Sequence, residues 1–444
     1  MSRFPSGNSP ADIVLTPSLL AQHPQPGQQA KLIVQRVGLW VLCAYVVSGF
    51  LNELTLRLVG TQAYLLDVTL VLLPFLWLAS GDTFRGLRHP IGKWWVAFLP
   101  LLLIATAFSI WRSGSLALLM NYIPRSYLLF FYVTALAATF SKCRQLMYVN
   151  IVASFMMLGI CIFYGADGKD GRYYLPGGSG FFGNGNDLAF QLLIGITRFM
   201  YLFSRKSLLA KVLALSGIAA SVPYLLWTGS RACVIGAIAY GILLLYLTRR
   251  RIRVLVIITV VAAIGLAFAP ARVLNRLRLW TGDATHATSS DDMSAIESGL
   301  TRMELLKRSI SETIAHPLLG VGPGQFPVAV SEEAKARDEW SQWLVTHNSY
   351  TEVSSECGIP AFICYMAIIV ACFRMNFRLR KVSANRPEWA EIANLNVALL
   401  SYILVYAVCS FFFSVAYTGT LPYCAGQTLA LYLAAKQKLD PING

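Results

Sequence analysis

Residues 209–248 read LAKVLALSGIAASVPYLLWTGSRACVIGAIAYGILLLYLT, which is two apolar runs divided by the polar turn Thr228-Gly-Ser-Arg231. A helix needs about 20 mostly apolar residues to cross a hydrocarbon core of roughly 30 Å. Each run approaches that length; Lys211 is the one charged residue in the first, and the second has none. This stretch therefore predicts two antiparallel membrane helices joined by a very short connection.

The same pattern extends over most of the chain. Of the 444 residues, 56% are hydrophobic and 13% are charged, whereas soluble globular domains carry about 25% charged residues. We therefore predict an all-α polytopic membrane protein rather than a soluble enzyme. Twelve spans are expected, near 32–50, 62–80, 94–110, 126–140, 147–164, 188–204, 209–227, 232–248, 252–269, 349–373, 394–415 and 420–436, of which the fourth is the shortest.

The distribution of basic residues predicts the orientation. The N-terminal segment and the connections after even-numbered spans carry 22 Lys and Arg, whereas the short connections after odd-numbered spans carry six. Because cytoplasmic loops are enriched in Lys and Arg, both termini are expected in the cytoplasm. The net charge of +15 is then a consequence of topology, and no nucleic-acid partner is expected.

One outer connection is much longer than the others. The predicted organisation is a cytoplasmic tail over 1–31, spans one to nine over 32–269, a large periplasmic loop with short helices over 270–347, spans ten to twelve over 348–436, and a cytoplasmic tail over 437–444. The large loop has eight basic and ten acidic residues and is nearly neutral. A shorter outer loop over 165–186 is rich in Gly and aromatic residues.

Common cofactor motifs are weak in this chain. The sequence Gly178-Ser-Gly180-Phe-Phe-Gly183 matches G-x-G-x-x-G, but it lies in an outer loop and lacks the preceding strand that dinucleotide binding needs. The nine cysteines show no metal-ligand spacing and fall mostly within spans. We therefore expect neither a cofactor nor a metal site.

Arg231 lies in the shortest outer connection, at the start of span eight. A charged residue at a membrane boundary needs a partner or a function. Arg231 either extends its head group to the interface or provides a fork of donors for a phosphate group. The local sequence leaves both interpretations open.

Arg302 lies in the large loop within Thr301-Arg302-Met303-Glu304, which fits a Ser/Thr-x-x-Glu capping box. A helix that begins there would place Arg302 at its first position, where free N–H groups favour an anion. The alternative is a solvated amphipathic helix on which Arg302 is merely exposed.

His347 lies where the large loop re-enters the membrane, just before a second potential capping box formed by Ser349 and Glu352. An imidazole at this interface could accept a proton from a sugar hydroxyl, although a structural histidine bonded to the backbone is the commoner case. Arg125 and Asn186 are further candidates for substrate binding on the outer face.

Several short motifs, taken in order, resemble the O-antigen ligase and polymerase superfamily of bacterial membrane glycosyltransferases. The matching pieces are Phe182-Gly-Asn-Gly-Asn186-Asp-Leu-Ala189, Thr228-Gly-Ser-Arg231, Arg302-x-x-x-Leu306, His316-Pro-Leu-Leu-Gly320-Val-Gly-Pro-Gly324, and His347-Asn348 separated by nine residues from Gly358. The last of these, together with R-x3-L, resembles the ligase signature in particular. The chain departs from that signature at Ala361, where ligases carry Gly, Thr or Tyr.

The resemblance implies a multi-pass protein of the bacterial inner membrane with a periplasmic active site. It implies a polyprenyl (undecaprenyl) diphosphate-linked glycan donor, an acceptor on lipid A-core or a growing polysaccharide, contact with membrane lipid, and inversion at the anomeric carbon without a metal. By this resemblance His347 would be the general base, and Arg231 and Arg302 would hold the diphosphate.

Three functions remain open from the sequence. An O-antigen ligase is the first, and a polymerase of O-antigen or exopolysaccharide from the same superfamily is the second. The third is a flippase or transporter, which twelve spans also suit. A transporter should show repeats and ionisable groups at mid-membrane, whereas the candidate residues here cluster at the outer edge.

Overall fold

A computed structural model describes residues 26–61, 64–168, 172–176, 184–248, 251–267, 290–339, 343–384 and 386–439. The helices of the first half are α1 Pro26–Val59, α2 Leu65–Ala79, α3 Pro90–Ala107, α4 Arg112–Tyr122, α5 Leu129–Leu136 and α6 Phe140–Tyr164. Those of the second half are α7 Gly185–Phe203, α8 Leu208–Trp227, α9 Arg231–Leu247, α10 Arg251–Ala267, α11 Ser290–Ala315, α12 Phe326–Ala336, α13 Ser349–Ser383, α14 Ala390–Cys409 and α15 Thr420–Leu439.

The remaining described elements are short. Two-residue strands β1 (Ala166–Asp167) and β2 (Tyr173–Tyr174) pair antiparallel within the predicted outer loop. Short 3₁₀ helices lie at Arg85–Arg88 and Pro387–Trp389. The described part of the chain is therefore almost entirely helical, as predicted.

Seven described helical stretches are long and apolar enough to cross a membrane: Gly27–Val59, Pro90–Ala107, Arg112–Leu136, Phe140–Tyr164, Leu208–Trp227, Ser349–Ser383 and Pro387–Cys409. Leu65–Ala79 and Arg231–Leu247 are shorter apolar helices. Each of the twelve predicted spans overlaps a described helix. A polytopic membrane protein is therefore confirmed, and the number twelve stays a prediction.

The fourth span begins much earlier than predicted. Helix α4 continues through a π-helical turn, Ile123–Tyr127, into α5, so that most of the predicted outer connection between spans three and four is helical. The sequence Ser113-Gly-Ser115 lowers the local hydropathy, but Ser115 is buried and its hydroxyl donates to the carbonyl of Pro323 at 2.9 Å. Packing against another segment, rather than hydropathy, therefore sets the start of this helix.

The helices differ in how much of their surface is buried. All eight residues of α5 are buried, and Gly426 of α15 approaches α5 so closely that a methyl group there would lie 2.9 Å from Val133 Cβ. In contrast, α1, α2 and α10 expose large apolar side chains such as Trp40, Phe75 and Ile252. These faces are suited to contact with lipid.

The N-terminal segment and the connections after even-numbered spans, which the count of basic residues assigns to the cytoplasm, also contact one another. Asp82 accepts hydrogen bonds from Lys31 at 3.2 Å and Gln35 at 2.8 Å. Glu391 pairs with Arg144 and Arg205 from two further connections. We call this the inner end of the bundle, and the opposite end, where odd-numbered connections meet, the outer end.

Helix α13 is broken in its outer half. Gly358 has φ of 80° and Pro360 follows two residues later, so the helical hydrogen bonds are interrupted there. Residues 317–324, which we call the strap, supply the missing partners. Val321 N donates to Ser355 O at 2.9 Å, and Ile359 N donates to Pro317 O at 2.7 Å.

Much of the predicted large loop is helical in its described residues. Its described residues contain α11 and α12, and α11 has 26 residues, longer than the short helices expected. The strap, which joins α11 to α12, packs on α13 and also contacts the α3–α4 connection, where Ile110 N donates to Val321 O at 3.1 Å. The loop is thus attached to the outer end of the bundle.

Candidate functional site

His347 directly precedes α13 and has a left-handed backbone conformation, with φ of 52°. Few residues other than Gly adopt this conformation. Its neighbours fix it: the Thr346 hydroxyl donates to the Asn348 carbonyl at 3.1 Å, and the Asn348 side chain accepts from the N–H groups of Tyr350 and Thr351 at 2.9 and 3.2 Å. The prediction that His347 lies just outside a helix is confirmed.

The predicted capping box of Ser349 and Glu352 is wrong, because Asn348 caps α13. Ser349 and Glu352 instead bind residues 410–416, which we call the 410–416 turn. The Ser349 hydroxyl donates to Phe413 O at 2.6 Å, and the Glu352 carboxylate accepts from Ala416 N at 3.2 Å. These two side chains therefore anchor the start of α13 to the end of α14.

Arg302 lies within electrostatic reach of His347. Burial, and to a smaller extent the positive charge of Arg302, lowers the pKa of the His347 imidazole from 6.5 to about 4. Two candidates from distant parts of the sequence are thus brought together at the outer end.

The predicted helix start at Thr301 is wrong. Helix α11 begins at Ser290, so Arg302 lies in its interior and not at an anion-binding N-terminus. Gly299 costs a helix only about 1 kcal/mol relative to Ala, and no Pro lies between Ser290 and Arg302. The capping-box pattern therefore occurs within a helix that nothing interrupts.

Arg231 is the first residue of α9 and follows a turn in which Gly229 has φ of 62°. Its guanidinium reaches α11: a methyl group on Gly299 would lie 3.9 Å from Arg231 Nη2. Residues three apart on a helix lie on the same face, so Arg231 approaches the turn of α11 that precedes Arg302. Arg231, Arg302 and His347 form one cluster, which we call the outer cluster.

Arg172 adjoins this cluster and was missed from the sequence. Its Nε donates to the Thr228 carbonyl at 2.8 Å, and its Nη2 donates to the Asn186 side chain at 2.8 Å. Arg172 thus joins the predicted outer loop to α7 and to the turn that carries Arg231. Its position beside Tyr173, in an outer loop rich in aromatic residues, is the feature of the sequence that could have identified Arg172 as a candidate. The candidate Asn186 is engaged by Arg172.

Arg125, a predicted substrate-binding residue, contacts helices other than those of the outer cluster. It lies in the π-helical turn, its Nη2 is 3.9 Å from the Asp67 carboxylate, and its carbonyl accepts from the Tyr45 hydroxyl. These contacts tie Arg125 to α1 and α2, and none of them involves a member of the outer cluster.

Two buried carboxylates lie one helical turn apart below the cluster. Glu352 binds the 410–416 turn as described, and Glu356 accepts from the N–H groups of Gly324 at 2.7 Å and Phe326 at 3.3 Å. Glu356 is 3% exposed. Acidic residues at this spacing in an apolar span were visible in the sequence and point to a specific role. That role is to fix the strap and the 410–416 turn around the start of α13.

The described residues provide no group of three His, Cys, Asp or Glu side chains that could hold a metal ion. All nine cysteines are free, buried thiols, as expected for small core residues. The outer cluster itself contains an imidazole and guanidinium groups, which suit the binding of an anion and the transfer of a proton.

The fold and the cluster together define a multi-pass membrane protein with a cationic site at one end of its bundle. Residues 215–366 match a family model described as O-antigen ligase. The match confirms that this region resembles the O-antigen ligase superfamily. It includes Arg231, Arg302 and His347. No curated protein matches the chain.

Proposed function

We propose that this protein is an O-antigen ligase, which moves a glycan from a polyprenyl diphosphate carrier to a sugar hydroxyl of lipid A-core at the periplasmic face of the inner membrane. The observation that carries the proposal is the outer cluster, in which a half-buried His347 of low pKa lies within electrostatic reach of Arg302. A transferase of this kind needs a base for the acceptor and cations for the leaving group, and the cluster supplies both.

His347 acts as the general base. With a pKa of about 4, its imidazole is uncharged at neutral pH and can accept a proton. A low pKa also makes it a weak base in the free enzyme. A diphosphate bound at Arg302 would offset the guanidinium charge and raise the pKa of His347, so the base strengthens when the donor is present.

Arg302 and Arg231 hold the diphosphate. In a single displacement the acceptor oxygen bonds to the anomeric carbon, the bond from that carbon to the phosphate oxygen breaks, and the electron pair stays on the diphosphate. The acceptor proton passes to His347, and the configuration inverts. Guanidinium groups placed in advance stabilise the charge that develops on the leaving oxygen.

The departure from the ligase signature lies away from the outer cluster. Ala361 is completely buried in the core of the bundle, one turn beyond the break in α13. A substitution there changes packing rather than the groups that meet the substrates, so we favour a ligase over a polymerase.

Deleting the gene and separating the lipopolysaccharide on a gel tests the proposal. Loss of all O-chain from lipid A-core is the expected result for a ligase. Single-repeat caps would indicate a polymerase, and unchanged lipopolysaccharide with lost capsule or slime would indicate an exopolysaccharide polymerase.

Complementation then tests the residues. His347→Ala and Arg302→Ala should fail to restore O-chain while donor accumulates. Arg308→Ala is the matched control, because Arg308 lies on the same helix and pairs with Glu304 at 2.6 Å. Normal glycan profiles from stably produced His347→Ala protein would contradict the assignment.

A further inference from the structure

An apolar groove lies between the outer halves of α13 and α14. It has a volume of about 510 Å³, within the range of roughly 300–1,000 Å³ typical of small-molecule pockets. Its walls are Tyr350, Phe362 and Met366 on α13, and Ala407, Val408, Phe411 and Phe412 on α14 and the turn after it.

The walls present hydrocarbon and almost nothing else. The one polar side chain, Tyr350, donates its hydroxyl to the Ala407 carbonyl at 2.6 Å, so this donor is already used across the groove. The ring of Tyr350 lies 5.9 Å from that of Phe411. A ligand of this groove is therefore itself apolar.

One end of the groove adjoins the segments that hold His347 in place, because the Asn348 side chain accepts from Tyr350 N at 2.9 Å. Tyr350 is three residues beyond His347, and Phe411 and Phe412 immediately precede Phe413, whose carbonyl accepts from Ser349. At its other side the end of α14 contacts the start of α9, where the thiol of Cys409 lies 3.9 Å from the Ala232 carbonyl. Arg231 is the residue before Ala232. The groove thus begins beside the segment that carries the proposed base, and its α14 wall belongs to a helix that also contacts the start of α9, the helix that begins at Arg231.

We infer that this groove binds the phosphate-proximal isoprene units of the polyprenyl diphosphate donor. The inference rests on the proposed function. In that donor the hydrocarbon is bonded directly to the diphosphate, so the chain must leave the site next to the groups that hold the phosphates. In the acceptor, core sugars separate the reacting hydroxyl from the acyl chains. The acyl chains of the acceptor therefore do not need an apolar groove next to His347, the proposed general base.

Filling the groove tests the inference with the full-length protein in nanodiscs. Met366→Trp places a large ring in the groove, and Val370→Trp is the matched control, because Val370 lies one turn further along α13, is 39% exposed and is not part of the walls. Met366→Trp should raise KM for the donor by about tenfold and leave KM for the acceptor unchanged. A rise in the acceptor KM instead, or no change in either, would overturn the inference.

Photo-crosslinking tests binding independently of catalysis and of the effect of the tryptophan on folding. A photo-reactive benzoylphenylalanine replaces Phe411, which is 54% exposed, or Val370 as the control. The probe is radiolabelled undecaprenyl diphosphate in nanodiscs of phosphatidylethanolamine and phosphatidylglycerol. The expected adduct at position 411 is suppressed by excess unlabelled probe and not by lipid A, and position 370 shows no such competition.

Other outcomes separate the two claims. The groove assignment is overturned if positions 411 and 370 are labelled equally and unlabelled probe does not suppress the labelling. It is also overturned if lipid A suppresses the labelling at position 411. Both conclusions hold even where the protein transfers glycan. A specific adduct at position 411 in a protein whose deletion leaves all cell-surface glycans unchanged supports the groove and overturns the proposed function.

Discussion

His347 is held by the residues on both sides of it. Thr346 contacts Ser414 through their hydroxyl groups at 3.0 Å, and Asn348 caps α13. The left-handed φ of His347 is a conformation that the surrounding contacts must maintain. The imidazole is therefore placed by the fold before any substrate arrives.

The pH dependence of transfer should report the charge state of this imidazole. The pKa of His347 is lowered to about 4, so its neutral form is present above that pH and is lost as the pH falls through it. We expect kcat/KM for the donor to fall below about pH 4. The fall in kcat should occur at a higher pH, because bound diphosphate offsets the positive charge of Arg302 and so raises the pKa of His347. Steady-state rates across this range measure both limbs.

Arg302→Gln provides the control for this profile. Without the guanidinium charge the pKa of His347 should rise only in part, because burial is the larger cause of its low value. The residual activity should then begin to fall at a slightly higher pH than in the wild type. An unchanged limb would mean that the titrating group is not His347.

Arginine should not be replaceable by lysine in the outer cluster. Arg–phosphate contacts can be bidentate, whereas lysine offers a point charge. Arg231→Lys and Arg302→Lys should each lower kcat/KM by about 10²-fold or more, measured with purified protein. Arg308→Lys, on the same helix as Arg302, should stay within about twofold. Near-normal rates for the first two variants would argue against a diphosphate clamp.

The sequence identified the members of the outer cluster one by one: Arg231 and His347 by their position at membrane boundaries, and Arg302 by a capping-box pattern in the large loop. It could not show that Arg172 bridges Thr228 and Asn186, because this bridge joins segments that are far apart in the chain. It also offered Arg125 as a further candidate, which resembles a cluster residue in charge and position but contacts Asp67. Local patterns identify chemically capable side chains, and only packing decides which of them meet.

At the scale of helices and connections, the break in α13 organises the outer end. Gly358 interrupts the helix, the strap fills the gap, and Glu356 binds the strap through two N–H groups. The break also lets residues 349–356 approach the 410–416 turn and thereby carry His347 to its position.

Gly358→Ala should destabilise the protein. A methyl group at Gly358 would lie 2.3 Å from backbone atoms of Leu318, and φ there is +80°. We expect a loss of about 1–3 kcal/mol, seen as a lower Tm of the detergent-solubilised protein, with weakened transfer. Gly159→Ala is the control, because a methyl group there meets nothing within 4 Å. A Gly358→Ala variant as stable as the wild type would contradict the role given to the break.

Hydropathy predicted where helices occur better than where they begin. The predicted spans fall on helices because an apolar run of suitable length has few alternatives in a membrane. The start of α4 was missed because the polar Ser115 is stabilised by a hydrogen bond to the distant Pro323. The start of α11 was misplaced because a capping-box pattern occurs inside a continuous helix. Tertiary contacts override such local signals.

For the whole molecule, the charge asymmetry and the contacts at the two ends agree. Inner connections are joined by Asp82 and Glu391, while the outer end carries the loop with Arg172 and the strap. A single orientation in the membrane therefore accounts for the basic residues and for the placement of the outer cluster.

Cysteine labelling tests this orientation. The nine native cysteines are buried, so background labelling should be low. Lys335→Cys on α12 and Lys381→Cys at the end of α13 are both at exposed positions. A membrane-impermeant maleimide added to intact spheroplasts should label position 335, and position 381 only after permeabilisation. The reverse pattern would place the outer cluster in the cytoplasm and contradict the proposed site.

The most direct test of the central claim is single-turnover glycan transfer by the purified, reconstituted protein. The substrates are a polyprenyl diphosphate-linked glycan and lipid A-core, and the variant is His347→Gln, which keeps a polar side chain but cannot act as a base. The predicted result is a rate lower by about 10²–10⁴-fold with donor binding unchanged. Transfer by His347→Gln at the wild-type rate would contradict the assignment of His347 as the general base of a glycosyltransferase.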